Sequence, residues 1–192
     1  MSAAVVERDS LAEEITPVGR RGIAVWAITA GFGLAIVALI VGAPLAESSG
    51  HPAFASTIYK AFSFVCHQIP ERSFHLAGHQ FAVCSRCTGL YAGFAVAVLA
   101  YPLIRSLKLT ETPPRLWLIL AASPLAVDFA LGYFSIWQNN HLSRFITGAL
   151  LGSVAVFYIM PGLVELSSTV IRRLRSPSPN DAHVYGTRGR AP

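Results

Sequence analysis

Long apolar stretches broken by short polar connectors organise this chain. Four of them, residues 22–46, 81–104, 116–137 and 142–166, are each long enough to cross a hydrocarbon core, which needs roughly 20 helical residues. Between the first two, Phe54, Ile58, Phe62 and Val65 recur at helical spacing while Ser56, Lys60 and Ser63 face elsewhere. That pattern predicts a short amphipathic helix lying in the membrane interface. It ends in Cys66-His67-Gln-Ile-Pro70, because proline disfavours helical geometry in the residue before it. The first stretch is longer than the roughly 7–15 apolar residues of a cleaved signal peptide, and Ala43-Pro-Leu-Ala46 is not an A-x-A site, so it reads as an anchor that stays.

The predicted fold class is therefore all-α: an integral membrane four-helix bundle with a short interfacial helix in the first outer loop. Residues 1–21 form an N-terminal tail, 22–166 the four-span domain, and 167–192 a basic tail. Rich in Arg, Pro, Ser and Gly, that last segment has no periodic apolar face and is expected to be disordered. Composition supports the membrane reading: 53% of 192 residues are hydrophobic and 13% charged, with mean hydropathy +0.52, too apolar for a soluble domain of this size.

The formal net charge of +5 follows membrane topology rather than a nucleic-acid surface. Of 15 Lys and Arg residues, 11 precede the first span, lie between the second and third, or follow the fourth. The excess of positive charge on cytoplasmic loops then places both termini in the cytoplasm of a cell membrane. The lipid bilayer is the expected partner; a membrane partner or a homo-oligomer stays open.

This topology sorts the chemistry. Five of six histidines (His51, His67, His75, His79, His141) and all three cysteines fall on the extracytoplasmic side or at its edge. Cys66-His67 is followed by Cys84-Ser-Arg-Cys87, and thiolates with imidazole are the donors that hold zinc or another transition metal. Cys66, His67, Cys84 and Cys87 form the predicted ligand set, with His75 or His79 as substitutes for His67. On a helix beginning near Gln80, Cys84 and Cys87 share a face with Tyr91. Glu71, Arg72 and Arg144 are candidates for orienting the metal site or a ligand. The same C-x2-C spacing suits a redox dithiol, or two small core residues on an apolar helix.

Asp128 lies about nine residues from the outer end of the third stretch, roughly 13 Å deep at 1.5 Å per residue. An ionisable group there marks a functional site or an internal clasp. Arg144 is the nearest basic candidate to answer it, whereas Arg86 is expected to snorkel to the interface. Pro124 leaves the Leu120 carbonyl free and allows a kink. Gly89-x3-Gly93 and Gly148-x3-Gly152 permit close backbone approach and predict that the second and fourth spans pair. There is no Walker loop, G-x-S-x-G elbow, HExxH pair or dinucleotide fingerprint, which argues against nucleotide-driven transport and the commoner hydrolases.

The strings CHQIPERSF at 66–74 and VCSRCTGLYAGF at 83–94, followed by Asp128, Arg144, Thr147, Gly148 and Gly152, resemble an uncharacterised prokaryotic multi-pass membrane family, domain of unknown function 2085. The resemblance covers 59–152 and implies a small multi-pass protein without an assigned activity. A looser similarity is to four-helix membrane thiol oxidoreductases. It implies Cys84 and Cys87 as the dithiol and Cys66 as the shuttle, although this chain has three cysteines and so lacks a second pair. Three functions stay open: a metal site, an enzyme with Cys84, Cys87 and Asp128 as catalytic candidates, and a transport or assembly subunit using Asp128.

Overall fold

The computed structural model describes residues 3–107 and 110–175. Lys108 and the end of the basic tail, 176–192, lie outside the described residues. The chain forms α1 (Ala3–Ser48), α2 (Pro52–Ser63), a 3-10 turn (Pro70–Arg72), β1 (His75–Leu76), β2 (His79–Gln80), α3 (Ser85–Ile104), α4 (Arg115–Tyr133) and α5 (His141–Arg175). Four helical segments are long and apolar enough to span a membrane: Arg20–Ser48, Ser85–Ile104, Arg115–Tyr133 and His141–Ile171. The architecture is a membrane-type helical bundle with α2 as a short additional helix. Helix α5 continues through 167–175, where the sequence predicts a disordered tail; the Ser167 and Ser168 hydroxyls cap the Val164 carbonyl instead of breaking the helix. The strands make a small hairpin whose turn residues, Ala77 and Gly78, have φ of 51° and 84°, as a type I′ turn requires.

Helix α3 packs most extensively against α5, and the small residues explain how. A Cβ on Gly89 would strike the carbonyl oxygen of Phe145, and one on Gly93 that of Ala149; reciprocally, Gly148 meets the Arg86 carbonyl and Gly152 the Leu90 carbonyl. Backbone lies on backbone along this seam, as the paired small-x3-small patterns predict. Ser153 adds a hydrogen bond from its hydroxyl to the Gly93 carbonyl at 3.1 Å.

Prolines inside α1, α3 and α4 free carbonyls four residues back, and three of these orphans find another donor. Pro102 frees Val98, which accepts from the Trp26 indole of α1 at 2.6 Å. Pro44 frees Ile40, which accepts from the backbone N–H of Ala82 at 3.3 Å. Pro124 frees Leu120, which accepts from the Ser123 hydroxyl at 3.0 Å. The first two are crosslinks: they tie α1 to α3 and to the segment leading into it. Trp26→Phe keeps the ring and strands the Val98 carbonyl, so it should lower unfolding stability in detergent by about 1 kcal/mol, measured as a shift in thermal midpoint.

Candidate functional site

The three sulfurs are delivered by two short segments. Helix α2 buries Ala55 and Ile58 and stops at Ser63, and the following turn carries Cys66 inward, where it is buried with Ile40 and Val83. Gln68 then adopts a left-handed φ of 51°. Its side-chain amide donates to the Tyr59 and Ala82 carbonyls, both at 2.7 Å. That staple fixes the Cys66 turn against the start of α3. On the other side, Phe74 packs on Phe81, His141 and Phe145 with ring centroids 5.6–5.9 Å apart, which docks the loop on the first turn of α5.

Cys84 is the N-cap of α3, with extended backbone, rather than a residue within a helix starting at Gln80. The i, i+3 relation to Cys87 survives this shift, and the ligand atoms of Cys66, Cys84 and Cys87 all lie within 4.8 Å of one another. All three are free cysteines. The backbone N–H of Cys84 donates to the Cys66 sulfur at 3.2 Å, so the positive end of a 20-residue helix faces the cluster, where it favours thiolate. Hydrogen bonding with Cys66, then with Cys87, holds the Cys84 thiol far below its ordinary range, against a smaller opposing effect of burial.

Among the described residues, this metal-capable group contains three sulfurs and no imidazole. His67 is exposed and lines a cavity of about 280 Å³ beside the sulfurs. Arg72 and Arg144 also line that cavity, whereas Glu71 is exposed and does not. His75 and His79 sit on the hairpin strands, away from the cavity lining.

Asp128 pairs with Arg86, through an ion pair to one Arg86 terminal nitrogen, and not with Arg144 as the sequence suggests. Their side chains are 11% and 22% exposed, so Arg86 does not snorkel outward. It lies over the Phe129 ring, 5.7 Å from the centroid. Asp128 is also shallower than expected. Helix α4 stops at Tyr133 because Ser135 takes φ 56° and the N–H groups of Ser135 and Ile136 return to the Gly132 and Leu131 carbonyls at 3.4 and 3.0 Å, a Schellman stop. Asn139 then folds back and donates to the Asp128 carbonyl.

Two polar residues at the site escape a reading of the sequence. The buried Ser85 hydroxyl bridges the Arg72 carbonyl at 2.7 Å and His141 Nδ1 at 2.8 Å, joining the loop, α3 and α5. Gln68 gave no signal, because its role depends on a positive φ that no neighbouring glycine announces.

A family model described as "Predicted membrane protein (DUF2085)" matches residues 66–158. That interval begins at Cys66 and contains every cysteine, Arg86, Asp128, Arg144 and both glycine pairs. An uncharacterised protein of Methanocaldococcus jannaschii is 40% identical over 123 residues, covering 64% of this chain and 79% of that protein. The chain belongs to the DUF2085 family. An uncharacterised protein of Methanothermobacter thermautotrophicus is 37% identical over 91 residues, covering 47% of this chain and 80% of its own length. No solved structure matches the chain.

Proposed function

We propose that this DUF2085 protein binds zinc or another transition metal on Cys66, Cys84 and Cys87, at the extracytoplasmic face of a cell membrane. The observation that carries the reading is the sulfur triangle. A tetrahedral ion with metal–sulfur bonds near 2.3 Å sets its sulfurs about 3.8 Å apart, and three sulfurs already within 4.8 Å need only a small adjustment. A helix N-terminus directed at the cluster favours the thiolates that a metal requires. His67, on the wall of the adjoining cavity, is the protein side chain that would supply a fourth donor by turning inward. The outward placement rests on the distribution of Lys and Arg along the chain.

A second reading, thiol–disulfide exchange at Cys84 and Cys87, is favoured by two free cysteines three residues apart at the N-terminus of α3. One experiment separates the two. Protein purified in detergent without chelator is expected to carry about one metal ion per chain, with its thiols masked until chelator is added. Cys84→Ser should leave a metal content near background, since a three-sulfur set cannot be completed. Thiols released by reductant alone, with no metal present, would establish the exchange reading in its place. After chelation, a membrane-impermeant maleimide should label the cysteines on intact cells.

A further inference from the structure

The cavity beside the sulfurs carries a charge imbalance that neither metal binding nor thiol exchange uses. Arg72, Arg86 and Arg144 all line it, and no Asp or Glu among the described residues does. Asp128 neutralises Arg86. The Nε atoms of Arg86 and Arg144 are buried and lack a hydrogen-bond partner, a costly state for a guanidinium unless an acceptor arrives.

Three guanidinium charges against one carboxylate leave two positive charges. A divalent ion on three thiolates contributes one negative charge, so a positive charge remains even with the metal in place. A single carboxylate is satisfied by one arginine fork, whereas converging arginines suit a group with several acceptor oxygens. The cavity, about 280 Å³ and partly open to the surface, has room for a group of several oxygen atoms. Apolar side chains form part of the wall: Val65, Phe129 and Tyr133 line it and are 62%, 54% and 73% exposed, so the cavity adjoins surface that faces lipid or its interface.

We infer that this cavity binds a phosphate group on Arg72, Arg86 and Arg144, either as free phosphate or as the headgroup of an amphiphile in the adjoining leaflet. The arginines carry the inference, and it holds with the cysteines as thiols or as metal ligands.

The test uses the full chain, loaded with zinc, in two arms. In dodecyl maltoside micelles, which carry no phosphate, inorganic phosphate is titrated by calorimetry; in parallel, nanodiscs containing phosphatidylglycerol are analysed by native mass spectrometry for retained lipid. Binding in the first arm identifies free phosphate, and binding in the second alone identifies an amphiphile. Arg72→Gln and Arg144→Gln should each weaken binding at least tenfold, and Arg144→Lys should retain part of it, because the charge survives without the fork. Zinc content measured on the same samples should be unchanged in these variants, whereas Cys84→Ser should lose zinc and still bind the anion. Absence of binding in both arms, or wild-type binding by both glutamine variants, overturns the inference without touching the metal reading.

Discussion

Gly93→Leu and Gly148→Leu are each expected to prevent α3 and α5 from associating, with a loss of more than about 3 kcal/mol. The residues that a new side chain would meet are backbone carbonyls, of Ala149 and Arg86 respectively, and backbone cannot rotate away as a side-chain terminus can. No apolar driving force compensates, because lipid tails solvate leucine as well as a neighbouring helix does. The measurement is the fraction of monodisperse protein after extraction, and its thermal midpoint. Gly42→Leu is the control: a Cβ there meets nothing within 4 Å, and it should stay within about 0.5 kcal/mol of wild type. Equal behaviour of Gly42→Leu and Gly93→Leu would show that the seam does not hold the bundle.

The second large effect belongs to the ion pair. Arg86→Leu or Asp128→Leu alone should cost about 3 kcal/mol, because each leaves a charge with little access to water and no partner. The double substitution should cost distinctly less than the two single losses together, since neither charge remains. Helix α4 is the element at stake: its one fully buried residue is Ala121, so polar ties contribute much of its attachment. Tyr158 supplies another, donating to the Pro114 carbonyl at 2.8 Å. Strict additivity of the two single variants would remove the clasp.

Much of the scaffold was legible because lipid imposes few solutions. Length and hydropathy located four crossings, and the two small-x3-small patterns named the helices that touch. The sulfur cluster was legible for a different reason: i, i+3 spacing survives a shift of the helix start from Gln80 to Ser85. The Arg86 partner of Asp128 is nevertheless encoded in the sequence. Arg86 precedes Gly89 by three residues and Gly93 by seven, so it lies on the packing stripe of its helix and not on the lipid face. The depth of Asp128 is not legible in the sequence, because the stop of α4 uses Ser135 in a left-handed conformation, where glycine is the usual signal. His67 follows Cys66 directly in the chain, yet Cys66 is buried and His67 is exposed.

The sulfur triangle also bears on how the protein is made. Cys66 arrives on the loop after α2, while Cys84 and Cys87 lie at the mouth of a crossing synthesised afterwards. The trio therefore cannot meet until the chain has been made through Cys87, in the first turn of that crossing. Maturation of the centre thus waits on the opening turn of α3, and a chain arrested before that point would hold an incomplete set of sulfurs.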